Sequence, residues 1–316
     1  MAKRAGILVG VDGSAASGRA LEWAMAEAAA RGESLRLICG YALPRFASGS
    51  LDASYASLSN NAVREGAQVV LDQAIDQVKK AGLEANGDVL AGDAAGLLVE
   101  ETKNTVLAVV GTRGRGGFAE RLLGTVSSAL PVHAHCPTVV VPCDQNQSQP
   151  EEGAASAAPV KKIVVGVDGS DASRVALRHA IDEAIAWGAE LTAFTSMPMA
   201  SGASLFAWAP GPVDQAAIMA DLETELDQIL ETELGGRQLP EGLVIHRHAL
   251  DGTPSALLVE FSSSVDLLVV GSRGRGGFSG LLLGSTSQAV LHHAACPAMV
   301  VPARLLNQAA SAAADG

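Results

Sequence analysis

Aromatic side chains are scarce in this chain, at 3% of 316 residues. Its cores must then be aliphatic side chains packed at close approach, which favours layered helices and strands over an aromatic-rich sandwich. Cysteine is scarce too: Cys39, Cys136, Cys143 and Cys296 form no CxxC pair and no His/Cys ligand spacing. That excludes a disulfide framework and a zinc site, and it fits a reducing cytosol. Basic residues number 22 against 34 acidic ones, for a net charge of -12, and both halves of the chain are acidic. Such a field repels a phosphate backbone and an anionic bilayer alike. No apolar run approaches the roughly 18 residues a membrane helix needs. Asp12 breaks the short apolar run after the basic N-terminus before it can serve as a signal peptide. The expectation is a cytoplasmic protein with neither nucleic acid nor membrane as partner.

What is present is ample apolar material, 48% of the chain, with 34 glycines and length for roughly two domains. Those domains are copies of each other. Gly10, Val11, Asp12, Gly13 and Ser14 recur as Gly166, Val167, Asp168, Gly169 and Ser170. The block Val109 to Ser127 recurs in the same order as Val269 to Ser287, so the chain is a tandem duplication. The expected boundaries are a first domain over residues 1–143, a polar, small-residue linker over 144–160, a second domain over 161–304 and an Ala-rich tail over 305–316. The least alike stretches, 41–62 and 197–213, are expected to be loops.

Within each copy, strand and helix patterns alternate. Short apolar runs at 6–11, 35–40, 85–90, 106–111 and 138–142 read as strands, and 15–31, 62–81, 94–103 and 120–135 as helices. The second copy repeats this, with strands near 162–167, 190–194, 244–248, 266–270 and 298–301. Uniformly apolar strands belong in a parallel sheet buried on both faces, and alternating βα units wind it doubly. The fold class is therefore α/β, two doubly wound Rossmann-like domains with helices on both faces. In such sheets ligands lie beyond the carboxyl ends of strands, where the winding reverses. Asp12 and Gly111 end the first and fourth strands, so both can edge one crevice.

The informative motif is Gly111-x-x-Gly114-x9-Gly124-Thr125, repeated at identical spacing as Gly271-x-x-Gly274-x9-Gly284-Ser285. Glycines after a strand let main-chain amides turn inward on an anion, and the following Val126 and Ser127, or Thr286 and Ser287, sit by a helix N-terminus that adds donors. This predicts a phosphate cradle. Arg113, Arg115, Arg273 and Arg275 either neutralise phosphate or form a solvated loop face. The Walker tripeptide and the GxGxxG fingerprint are both missing. Asp12 and Asp168 also admit a plainer reading as turn or capping acids before Ser14 and Ser170.

With both copies of the glycine motif intact, the chain resembles two universal stress protein domains in tandem, of the ATP-binding subclass. The resemblance covers nearly everything except linker and tail. It implies a five-stranded parallel sheet in each domain, with an adenine nucleotide whose phosphates lie on Gly111, Gly114, Gly124, Thr125, Val126 and Ser127. The second site would use Gly271, Gly274, Gly284, Ser285, Thr286 and Ser287. By the same matching, Asp12 and Asp168 contact the ribose or an associated Mg²⁺ or Mn²⁺. Main chain at Gly40 and Ser196 would grip the adenine. The resemblance also implies pairing through the last strands, giving an internal pseudo-dimer and a homodimer, with an unidentified protein partner. No acid–base pair, activated nucleophile or lysine clamp converges on the phosphates, so a regulatory ATP-binding role is expected, not an enzyme. The alternatives are a slow nucleotide-dependent hydrolase or transferase, and a structural module with empty sites.

Overall fold

A computed structural model describes residues 6–42, 53–114, 123–143, 158–198, 214–275 and 282–306; of 53–60 it describes the backbone only. The chain divides into two compact units, Met1–Ala158 and Pro159–Gly316.

The first unit runs β1 (Ile7–Gly10), α1 (Ala15–Arg31), β2 (Leu35–Tyr41), α2 (Ala53–Lys80), β3 (Ala85–Ala91), α3 (Ala94–Glu101), β4 (Leu107–Gly111), α4 (Thr125–His133) and β5 (Thr138–Val141). Its strands lie in the order β3-β2-β1-β4-β5, all parallel. The second unit repeats this with β6 (Lys162–Gly166), α5 (Asp171–Trp187), β7 (Glu190–Met197), α6 (Gln215–Leu234), β8 (Ile245–Asp251), α7 (Pro254–Phe261), β9 (Leu267–Gly271), α8 (Ser285–His293) and β10 (Ala298–Val301). Its order is β8-β7-β6-β9-β10, again parallel. The doubly wound α/β class is as expected. Winding reverses beside β1 in one unit and β6 in the other, and right-handed crossovers then put helices on both faces.

The central strands are buried throughout: Ile7, Leu8 and Val9 of β1 and Leu107 to Val110 of β4 are at most 3% exposed. Edge strands β3 and β8 instead alternate half-buried and exposed residues, because each has a neighbour on one side within its unit. Helix α1 begins where the Ser14 hydroxyl accepts from the Ser17 amide and ends at left-handed Gly32 (φ 66°). Ser170 and Gly188 do the same for α5.

Three boundaries depart from expectation. Helix α4 starts at Thr125, leaving out residues 123 and 124 of the helix expected over 120–135, because Gly124 is its extended N-cap and the Ser127 hydroxyl accepts from the Gly124 amide; residues 120–122 lie outside the described ones. The chain leaves α4 at Ala134, extended at ψ 153° shortly before Cys136-Pro137. Residues 53–62, expected in a loop, belong to α2. The rest of that loop (43–52), most of 197–213, Arg115, linker residues 144–157 and tail residues 307–316 lie outside the described residues. Val160, placed in the linker, is buried, as is Leu305 at the head of the tail.

The cysteines give a direct test of this packing. Cys39, Cys136 and Cys296 are buried and Cys143 is half-buried, with no disulfide among them. Burial pushes the Cys296 thiol up to about 12, far from a reactive thiolate. A thiol reagent at pH 7.5 is expected to titrate one group in the native chain and four in guanidinium; rapid reaction of more than one native thiol would contradict the packing.

Candidate functional site

Both units build one construction at the carboxyl ends of their strands. In the first turn, Gly13 and Gly169 take left-handed φ of 73° and 76°, open to glycine at little cost. That turn aims the preceding carboxylate back on the helix start. Asp12 Oδ1 accepts from the Ser14 amide at 3.0 Å and its hydroxyl at 2.6 Å. Asp168 does so from Ser170 at 3.0 and 2.5 Å.

The second Asp168 oxygen reaches across the winding reversal. Oδ2 accepts from the Arg275 amide at 2.8 Å, tying the glycine loop after β9 to the turn after β6. Gly274 must be glycine for this approach, since an added Cβ would overlap Asp168 Oδ2; Gly114 stands the same way against Asp12. The Arg275 guanidinium lies over Gly169 and pairs with Glu225 of α6 at 2.8 Å. It forms a loop-face ion pair, whereas Arg273 lines the cavity described below. Burial disfavours the Asp168 carboxylate, but hydrogen bonds from the Ser170 hydroxyl and the Arg275 and Ser170 amides, with the Ser173 side chain close by, outweigh it. The carboxyl is held below the ordinary aspartate range.

The far end of each glycine motif is fixed by its own hydrogen bonds. The Gly124 amide donates to the Thr112 carbonyl and the Gly284 amide to Ser272, both at 2.8 Å. Ser127 and Ser287, each 1% exposed, donate their hydroxyls to the same two carbonyls at 2.8 and 3.1 Å. These four groups were expected to face an anion as donors; they brace the loop against the helix instead. The donors left at the mouth of α8 are the amides of Ser285, Thr286 and Ser287, which precede any intrahelical acceptor, and the Ser285 and Thr286 hydroxyls. In the first unit Val126 takes the place of Thr286.

In the second unit these parts enclose a cavity of about 410 Å³. The structure brings eight expected residues to its wall: Asp168 after β6, Ser196 at the end of β7, Gly271 and Gly274 after β9, and Gly284, Ser285, Thr286 and Ser287 at the start of α8. Part of the wall is apolar and includes Phe194, Pro254 and Leu258, none of them named from the sequence; Phe194 and Leu258 both approach Gly166. Phe194 was readable only as strand core; its edge-to-face contact with Phe261 at 5.5 Å fixes its ring.

In the first unit Asp12, Gly111, Gly114, Gly124, Thr125, Val126 and Ser127 occupy corresponding places on β1, β4 and α4. Gly40, next to last in β2, lies against α3, where a Cβ would fall 3.0 Å from the Ala94 Cβ. Gly10 is closed in similarly, its Cβ position lying 2.9 Å from Leu98 Cδ1; the matching gap at Gly166 is 3.5 Å. Among the described residues, no helix is long and apolar enough to cross a membrane.

Two doubly wound α/β units, each seating a glycine loop on the acid of its first turn, define a tandem protein of the universal stress type. The chain belongs to the universal stress protein family, whose model matches residues 4–142 and 159–302. It is 33% identical over 318 aligned positions to a universal stress protein of Mycobacterium tuberculosis, covering 93% of this chain and 94% of that one. A second from the same organism is 34% identical, covering 93% and 95%. Among solved structures, a universal stress protein from Archaeoglobus fulgidus superposes with a TM-score of 0.68 at 21% identity, over 94% of this chain and 98% of that one, a likeness of fold.

Proposed function

We propose that the second unit binds an adenine nucleotide, ATP in the first instance, and that occupancy rather than turnover is its output. The reading rests on one observation: a single cavity wall combines apolar side chains, Phe194, Pro254 and Leu258 among them, with the Gly271–Gly274 loop and the first residues of α8. A flat heteroaromatic base suits the first, and a polyphosphate suits the second, where backbone amides and the helix dipole favour an anion. Arg273 supplies charge on the same wall.

In this reading Gly271, Gly274, Ser285 and Thr286 hold the phosphates, Gly284 and Ser287 brace the loop, Asp168 seats it near the ribose, and Ser196 lies at the base. Asp12, Gly40, Gly111, Gly114, Gly124, Thr125, Val126 and Ser127 form the corresponding site of the first unit, with a tighter floor. A resident Mg²⁺ or Mn²⁺ does not fit: no group of three acidic, histidine or cysteine side chains gathers among the described residues, and both Asp168 oxygens already accept from protein donors. A divalent ion would arrive on the phosphates. The two units and second copies of the chain are proposed to pair through terminal strands, and a further protein to read occupancy.

Native mass spectrometry of the purified chain, followed by calorimetric titration with ATP, tests the reading. Binding is expected, with little phosphate released over an hour. An isotherm without heat, together with an unmoved melting curve at millimolar ATP, would discard it.

A further inference from the structure

The two units differ where the strand after the first helix ends. Gly40 is the penultimate residue of β2 and Ser196 occupies the matching place on β7. Ser196 Oγ is a buried polar atom on the cavity wall with no hydrogen-bond partner among the described residues. An unpaired buried hydroxyl costs on the order of 1–3 kcal/mol, and the buried and half-buried serines around it avoid that cost: those at 170, 173 and 287 each donate to a protein acceptor. Ser196 alone among these four stays unsatisfied, and it stands two residues from Phe194 on β7, so both side chains share one face of that strand and both lie on the cavity wall.

We propose that the Ser196 hydroxyl is a specificity-determining contact to the polar edge of a purine base, and that it makes the second unit the tighter of two unequal nucleotide sites. The inference rests on the nucleotide reading above. A hydroxyl both donates and accepts, so it can meet the ring nitrogen or the exocyclic amine of adenine. The base brings the partner that the protein withholds, and binding removes the desolvation penalty that the folded chain carries.

The first unit has no room for the same device. With Ala94 Cβ 3.0 Å and Ala94 Cα 3.1 Å from a Cβ built at Gly40, a serine there would press on the start of α3. The first unit also carries Ile38 where the second has Phe194, and Glu101 where the second has Phe261. It therefore lacks both the aromatic wall and the polar reader of the base.

The test uses the full chain and Ser196→Ala, with 8-azido-ATP photolabelling read by peptide mass spectrometry so that each unit's occupancy is scored separately. In the wild type the second unit is expected to half-saturate at lower nucleotide than the first. The substitution is expected to raise the second unit's half-saturation roughly five- to tenfold, about the worth of one hydrogen bond, and to leave the first unit's unchanged. Competition by tripolyphosphate, which has no base, is expected to be the same in both proteins. The melting temperature is expected to hold or rise, since alanine removes an unsatisfied buried group; a structural role for the hydroxyl would lower it. Unchanged nucleotide occupancy in Ser196→Ala, an equal loss for tripolyphosphate, or a lowered melting temperature overturns the proposal while leaving nucleotide binding intact. Failure of both wild-type units to label overturns the nucleotide reading and this inference together.

Discussion

Gly111→Ala is expected to lower the unfolding midpoint of the first unit by about 10 °C and to leave the second where it was. A Cβ built at Gly111 falls 2.5 Å from the Ala16 carbonyl oxygen, 2.6 Å from its carbon and 2.8 Å from its Cβ. Two of those atoms are backbone in the first turn of α1, held by the Ser14 cap and buried against β4. A flexible side chain swings aside from such an overlap, but a capped helix start has to move as a body. Overpacking of this kind costs roughly 3 kcal/mol, and for a domain near 150 residues each kcal/mol is worth about 2–4 °C. The duplicate supplies the control. At Gly271 the nearest atoms, Ala172 C and O and Arg273 O, lie at 3.1 Å, so an adjustment of a few tenths of an ångström suffices and Gly271→Ala is expected to cost about 1 kcal/mol. Calorimetry with hydrogen exchange to assign each transition checks the pair. Equal shifts for the two variants would mean that α1 does not sit closer to its strand than α5.

The same contrast shows what the sequence made legible. Strand, turn and cap chemistry are local, so the duplicated Gly-Val-Asp-Gly-Ser turn, the helix at 15–31 with its glycine stop and the apolar central strands could be read directly. Positions that depend on what lies across the sheet could not. The spacing of Gly124 and Gly284 marks a loop that meets a helix, yet their amides face the Thr112 and Ser272 carbonyls and not an anion. That choice is fixed by where the fourth strand of each unit ends. Phe194 looks like any core residue until the fold sets it on one cavity wall with Pro254 and Leu258. Helix α2 extends back to Ala53 through a stretch whose polar, small residues carry little apolar periodicity. The edge strands β3 and β8 show the converse: their polar alternation in the sequence follows from having a partner on one side only within the unit.

Asp168→Ala is expected to destabilise the second unit by roughly 2 kcal/mol and to weaken nucleotide binding there at least tenfold, because one carboxylate holds two segments together. Its Oδ1 accepts from the Ser170 amide and hydroxyl and its Oδ2 from the Arg275 amide, so alanine orphans three donors at once. The pH dependence has a definite sign. A carboxyl held below its ordinary range favours the folded state through its ionised form. Its contribution is therefore fully present above about pH 4, the ordinary aspartate range, and fades as the pH falls through the lowered value. The stability gap between wild type and Asp168→Asn is accordingly expected to be flat from pH 8 to 5 and to narrow below pH 4; a gap that widens on acidification would assign the carboxyl the opposite shift. A double-mutant cycle then separates the seat of the loop from generic damage. Gly274→Ala alone sets a methyl against Asp168 Oδ2, but with Asp168→Ala that oxygen is gone. The second substitution should then cost about 1–2 kcal/mol less than it does in the wild type. Strict additivity in urea unfolding of the four proteins would show that Gly274 is glycine for some reason other than the carboxylate beneath it.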